Sequence, residues 1–331
     1  MLRFFFRRSL QGLLILWGIV SLLFSVFYVL DSPINYMVGE KASKEVKEAI
    51  AEKYGLNKPV HIQYISYLNR ISPLGFEQRK FCLKKPDFGR SYQGNFVVSQ
   101  FIAAHLKGTA ILATVSLFFA AIIGIFLGVI AALNKDRFWD KWILTLSVLG
   151  ISAPSFFVGV ILMWFFAVLL QNITHLDVTG YMFVPNLQTG EEYIVWKNLF
   201  LPTFALAIRP LAVFVQLTRS SLLDVLQSDY IRTARAKGLS ETTTLFRHAL
   251  RNALNPVATA VTGWLASLLA GAFFIEYMFN WKGIGKLTID SLSNRDFPII
   301  LGCTLTVGLI FVVINLLTDL LYAWLDPRVK V

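Results

Sequence analysis

"YIRTARAKGL", residues 230–239, decides how this chain is read. It carries Arg232, Arg235 and Lys237 and no acid, is dotted with Ala234 and Ala236, and closes on Gly238 and Leu239. Apolar runs of membrane-spanning length flank it, from about Leu199 to Thr218 with Arg209 inside, and from about Pro256 to Ile275. Ser228 or Asp229 suits the N-cap of a helix of about two turns, since a side-chain oxygen there accepts an orphan backbone N–H. Gly238 stands where a left-handed residue ends such a helix. Ser240 is a second cap, and Glu241 follows in a first turn where negative charge suits the helix dipole. The second helix leads through "LFRHALRNALNPV" (245–257) back into apolar sequence. Chemistry alone leaves two uses open: a basic helix lying on anionic lipid, or a plug for a partner protein whose backbone comes close at the small residues Ala234 and Ala236.

Outward from this link, the chain of 331 residues is 56% hydrophobic and only 15% charged, against about a quarter charged in soluble domains. The apolar excess falls into blocks without charge: Arg8 to Asp31, Lys107 to Lys135, Lys141 to about Gln171, and Asp296 to Asp319, besides the two already named. Each supplies the roughly 20 residues a helix needs to cross hydrocarbon, so the expectation is an all-α integral membrane protein with six spans. Arg3, Arg7 and Arg8 before the first block resemble a signal peptide, but the apolar run is longer than usual and no small-x-small cleavage site follows. A retained first helix is expected.

Lys and Arg in the short loops set the orientation. Residues 1–8, 135–141, 219–251 and the tail hold fourteen, and the alternate short loops hold four. Both termini and residues 219–255 are therefore expected in the cytoplasm. The organisation read is 1–30 as N-terminal residues and first helix, 31–106 as an external segment, and 107–331 as the transmembrane core. Residues 44–53, rich in Lys and Glu, suit a solvated surface helix. The net charge of +11 would suit nucleic acid, but its concentration in one set of loops points to the membrane instead. Cys82 and Cys303, in a polar loop and an apolar block, suggest neither a disulfide nor a metal site, and the four histidines show no ligand spacing.

The string "YIRTARAKGLSETTTLFRHALRNALNPV" (230–257) resembles the cytoplasmic loop of ABC-importer permeases of the oligopeptide/dipeptide/nickel family, in particular the first of the two permeases of such systems. "KYGLNKPVHIQYISYL" (53–68), "PDFGRSY" (86–92), "LGISAPSFFVGVIL" (149–162), "EYMFNWKGIGKL" (276–287), "SNRDFP" (293–298) and "NLLTDLLYAWLDPRV" (315–329) match in the same order. The resemblance covers nearly the whole chain. It implies the type I importer permease fold and a loop holding a coupling helix that fits a groove on an ATPase subunit. Arg232, Thr233, Ala234 and Gly238 fall where the general importer motif has Glu, Ala, Ala and Gly. The implied ATPase-coupling residues are Tyr230, Arg232, Thr233, Ala234, Arg235, Lys237 and Gly238. The implied partners are a homologous second permease, two ABC ATPase subunits, an external solute-binding protein, a peptide substrate and the lipid bilayer of the bacterial inner membrane. No catalytic residue, metal or cofactor is expected on this chain, since ATP and Mg belong to the ATPases. Nickel, glutathione or another small solute is the alternative cargo.

Three features are weighed against this reading. "NWKGIGKLT" (280–288) contains Gly285-Lys286 but has Asn280 and Leu287 where a phosphate-binding loop needs Gly and Ser or Thr; it is expected to be an external amphipathic lid. Lys282 stands where the family usually has proline. Arg209 is the one full charge inside a block, a placement that marks a bundle interior or wet cavity, so it serves either the translocation pathway or the permease interface. Gly124 with Gly128, and Gly263 with Gly271, are small residues suited to close helix packing. A self-sufficient carrier would often need acidic residues within its spans, and the blocks hold none.

Overall fold

A computed structural model describes residues 2–30, 34, 42–77, 80–94, 96–185 and 192–325; residues 326–329 of the last quoted string lie outside them. The chain divides into two compact units, Met1–Gly108 with Gly283–Val312, and Thr109–Lys282 with Val313–Val331.

In the first unit, α1 (Leu2–Phe24) runs on through a π-helical turn at Ser25–Leu30. Ser43 caps α2 (Lys44–Tyr54) by accepting from Val46 N, and Gly55 ends it at φ +68°. This is the charged surface helix expected at 44–53, with Lys44, Glu45, Glu48 and Glu52 exposed and Lys47 half-buried. Then follow α3 (Val60–Ile71) and a hairpin of β1 (Leu74–Glu77) and β2 (Lys80–Leu83). The first turns of α4 (Val98–Leu133), α13 (Ile284–Ser293) and the start of α14 (Phe297–Leu325) complete the unit. Val98, Ile102, Ile284, Leu287, Ile299 and Cys303 form one core. Val20, Phe24, Tyr67, Leu301 and Leu305 form a second. Two strings remote in sequence meet here: buried Asp296 of "SNRDFP" accepts from Ser91 Oγ and from Tyr92 N of "PDFGRSY". Gln93 Nε2 donates to Asn294 O at 2.7 Å. The stretch after Lys282, expected as an amphipathic lid, forms α13, whose inner-face Ile284 and Leu287 belong to the core, while Lys286 pairs with Asp290 one turn on.

In the second unit, α8 (Lys197–Leu226) is the central element, with thirteen buried residues. Around it lie α4, α5 (Phe138–Ser152), α6 (Ser155–Leu162, continued π-helically through Met163–Leu169) and α11 (Asn255–Gly271). Short elements fill the links: α7 (Gln171–Thr174), a hairpin of β3 (Phe183–Pro185) and β4 (Glu192–Ile194), and α12 (Phe273–Met278). The two hairpins depart from a purely helical chain, and both fall in links between apolar blocks. The pair Gly124 and Gly128 sets the approach of α4 to α8. A Cβ on Gly124 would meet Leu211 O at 2.9 Å, and one on Gly128 would meet Val215 O at 2.8 Å. Both contacts are with backbone, so the helices could not come this close with larger residues. A Cβ on Gly263 would meet nothing within 4 Å among the described residues, so it makes no such contact there.

Among the described residues, four helices are long and apolar enough to cross a bilayer, or five if a bent pair counts as one span. The pair is α5 and α6, which meet at 109° where one straight span was expected from the block after Lys141. Pro154 supplies the reason: its ring disfavours helical geometry at the preceding residue, and Ala153 is extended at ψ 130°. The block at Pro256–Ile275 yields a helix of 17 residues, about 26 Å long. Conversely α4 starts at Val98, well before Lys107, because polar residues extend a helix that a charge-free block cannot reveal.

Candidate coupling surface

The opening stretch forms α9 (Asp229–Ala236), with Ser228 at the N-cap position and Lys237 at the C-cap. The cap works differently from expectation. Ser228 Oγ accepts no helix N–H; it donates back to Val225 O at 2.5 Å. Gly238 has φ +81°, the left-handed conformation expected there, and its N–H donates to Arg235 O while Leu239 N–H reaches Ala234 O. Ser240 does cap the next helix by accepting from Thr243 N. That helix, α10, runs from Glu241–Thr243 through a π-helical stretch, Thr244–Leu250, to Arg251–Ala253.

Spacing of three places Ile231 and Ala234 on one face of α9, and that face is turned inward. Ile231 is fully buried with Leu222 of α8 and Ala249 and Ala253 of α10, beside Ala132 of α4. Ala234 is 8% exposed. Of the two small residues expected to let a partner's backbone approach, the chain covers Ala234 and leaves Ala236 on the outer side. Arg232, Thr233, Arg235, Lys237 and Gly238 are exposed. Arg235 reaches across the Gly238 turn to Glu241 at 3.0 Å, so Glu241 holds the turn closed besides facing its own helix dipole. Arg232 pairs loosely with Asp229 at 3.4 Å. Tyr230 Oη accepts from Asn252 Nδ2 at 2.9 Å. The helix is thus tied to its surroundings at Tyr230, Ile231, Ala234 and Arg235, and presents Arg232, Thr233, Ala236 and Lys237 to solvent.

Two buried features escape a reading by sequence alone. Asp140, in the first turn of α5, is 2% exposed and takes a bidentate pair from Arg219 of α8, with Nε–Oδ1 and Nη2–Oδ2 both 2.6 Å. Asp136 N–H adds a third bond to Oδ2, its backbone at φ +62°. In the sequence Arg219 is one more basic loop residue, 79 positions from its partner. Glu276, one residue beyond an apolar block, is fully buried at the start of the turn that ends at Trp281, whose N–H reaches its carbonyl at 2.7 Å. Lys282 sets its ammonium 5.8 Å from the centroid of the Tyr181 ring, and burial pushes the Tyr181 phenol above its ordinary value, with Glu192 adding to the shift.

Arg209 lies away from α9, in the middle of α8, and its side chain is exposed with no hydrogen bond or ion pair among the described residues. Pro210 follows it and leaves the carbonyl of Leu206 without its helical donor. An unpaired cation at this depth needs water or a partner chain beside it. Arg209→Leu should therefore insert and accumulate like the wild type, while the transport that the resemblance implies falls about tenfold, the loss for one charge-assisted contact. Uptake equal to the wild type would show the charge to be idle.

A family model described as a binding-protein-dependent transport system inner membrane component matches residues 124–331, and the model for the N-terminal part of such components matches residues 1–113. The chain is 33% identical over 344 residues to the dipeptide transport system permease protein DppB of Alkalihalophilus pseudofirmus, and 37% over 335 residues to the oligopeptide transport system permease protein AppB of Bacillus subtilis, both covered end to end. It is 34% identical over 332 residues to the glutathione transport system permease protein GsiC of Salmonella typhimurium, covering 100% of this chain and 99% of that one. Its fold is similar to a chain of the inward-facing methionine ABC transporter MetNI, with a TM-score of 0.50 at 14% identity over 69% of this chain and 97% of that one. An amino acid ABC transporter solved with histidines gives 0.50 at 12% identity over 67% and 93%. At these identities the structures speak for the fold alone. Matched by the family model over residues 124–331 and related at 33–37% identity along its whole length, the chain belongs to the inner membrane components of binding-protein-dependent transport systems, and it is a permease subunit of an ABC importer.

Proposed function

We propose that this permease forms half of a peptide pathway across the bacterial inner membrane, paired with a homologous second permease. An external solute-binding protein delivers the cargo, and two ATPase subunits bind inside. ATP and Mg reside on those subunits, and this chain itself catalyses nothing. The observation that carries the reading is α9, a short basic helix anchored on its inner face by Ile231 and Ala234 and open on its outer face at Arg232, Thr233 and Lys237. Such a helix moves with the spans it is packed on, so closure of the ATPases is passed to α8 and α10 as a rigid-body shift. The peptide class is supported by relatives named for dipeptide, oligopeptide and glutathione transport, the last itself a tripeptide. Six spans complete the arrangement, with the bent pair and α11 each counted as one and both termini cytoplasmic.

Two measurements test this. Reconstituted with its partners, the permease should support uptake of labelled di- and oligopeptides that stops without ATP. Uptake by this chain alone, driven by an ion gradient, would instead make it a carrier. For sidedness, Asn57→Cys and Ser240→Cys, both at exposed positions, are placed in a background with Cys82 and Cys303 replaced. An impermeant thiol reagent outside the cell should label the first and miss the second; the reverse pattern overturns the orientation.

A further inference from the structure

The first unit holds a second feature of defined chemistry, a pocket of about 150 Å³ on the face of α3. That volume admits an oxyanion with bound water, since one water needs roughly 10–15 Å³. Among the described residues its lining is Gly55, Leu56, Lys58, Gln63, Ser66, Tyr67 and Arg70. Two of these are cations and none is an acid. Gln63 builds the pocket by donating from Nε2 to Leu56 O at 3.0 Å and Lys58 O at 2.7 Å, which fastens the 55–58 turn to α3. Gly55, at φ +68°, lets the Lys58 stem fold over it, 3.6 Å from where a Cβ would stand. Arg70 Nε is buried and has no hydrogen-bond partner, and the guanidinium carbon lies 5.7 Å from the centroid of the Tyr67 ring. Neither Lys58 nor Arg70 forms an ion pair among the described residues. A buried guanidinium N–H without an acceptor has lost its water for nothing in return, and an anion in the pocket that Arg70 lines would offset that cost through the guanidinium charge.

The packing of α3 says which anion is at hand. Tyr64 Oη lies 2.6 Å from Ser21 Oγ of α1, and the Phe24 ring meets Tyr64 edge-on at 5.1 Å between centroids and lies tilted at 5.8 Å from Tyr67. The first span runs from Phe5 to Phe27, so Ser21 stands six residues, about 9 Å, inside its end. The helix α3 therefore lies at the boundary of hydrocarbon and headgroups, where tyrosines concentrate. Ile62 and Ile65 are 40% and 63% exposed and flank the pocket face at Ser66, as in an interfacial helix with its apolar side toward acyl chains. We propose that the pocket binds the phosphate of a phospholipid headgroup, held by Arg70 and Lys58, with the acyl chains running past Ile62 and Ile65.

The test is native mass spectrometry of the assembled importer in detergent, with phosphatidylglycerol added and a diacylglycerol of the same chains as the phosphate-free control. The wild type should retain phosphatidylglycerol and not diacylglycerol. Lys58→Gln and Arg70→Gln should each lower retention about tenfold, the effect of one charge-assisted bond, and Arg70→Lys should recover part of it. Co-purification with the second permease checks that the variants fold. Equal retention by wild type and Lys58→Gln/Arg70→Gln, or equal retention of the two lipids, overturns the proposal. So does displacement of the lipid by millimolar inorganic phosphate, which would make the site one for a free anion. Unchanged lipid retention with lost capture of the external binding protein would assign the pocket to an acidic side chain of that partner instead. None of these readings depends on the cargo or on α9, so the proposal stands or falls separately from the proposed function.

Discussion

Arg219→Leu should destabilise the folded permease by about 3 kcal/mol, the low end for breaking a buried ion pair, because Arg219 keeps 20% of its side chain exposed while Asp140 keeps only 2%. The loss comes mostly from what is left behind. Asp140 would retain one bond, from Asp136 N–H, and an uncompensated carboxylate in a site closed to water. Arg219→Lys should lose less than the leucine but clearly more than nothing, since an ammonium cannot fill both 2.6 Å bonds of the guanidinium fork. The double variant Asp140→Asn/Arg219→Leu should recover much of the stability, because the stranded charge is gone. The measurement is the fraction of purified protein that survives heating in detergent, followed by size exclusion, for the four corners of the cycle. Additive losses from the two single variants would show that the pair contributes nothing as a pair. A loss confined to stability also separates this clamp from the proposed coupling surface, where changes on the outer face of α9 should impair transport while the protein remains folded.

The second large effect is expected at α9. At Gly238, φ is +81° and a Cβ would meet nothing within 4 Å, so Gly238→Val is penalised by backbone conformation alone. A β-branched residue strongly disfavours that region, at about 1–3 kcal/mol, enough to re-aim the turn that joins α9 to α10 without touching the core. Arg232→Glu/Lys237→Glu reverses charge on the outer face and leaves the buried Ile231 and Ala234 alone. Both variants should reach the membrane, pair with the second permease, and lose ten-fold or more of ATP-driven peptide uptake, with weakened pull-down of the ATPases or hydrolysis uncoupled from uptake. Ala234→Glu should also fail, but for a further reason. It drives a carboxylate against the chain's own packing at a position 8% exposed, so its loss of transport would be accompanied by loss of stability. If Gly238→Val and the charge reversal both bind the ATPases and carry peptide like the wild type, α9 is not the coupling helix.

The membrane character, the short basic helix and the left-handed residue that ends it were legible in the sequence because each rests on local chemistry. Charge-free blocks record the cost of charge in hydrocarbon, and Gly238 records a φ that other residues avoid. Pro154 could have been read the same way, since the bend between α5 and α6 follows from a proline's effect on the residue before it. What the sequence could not determine was which face of α9 is covered. Ala234 looked like a residue left small for a partner, yet smallness answers equally to burial within the chain, and the tertiary structure leaves Ala234 8% exposed on the same helix face as Ile231, which is buried with Ala249 and Ala253. The pairing of Asp140 with Arg219, of Ser91 with Asp296, and the pocket that gathers Lys58 and Arg70 were invisible for one physical reason. The burial of a polar group, and the partner that makes burial tolerable, are set by the residues that surround it in space, and in the two pairs those partners stand 79 and 205 positions away along the chain.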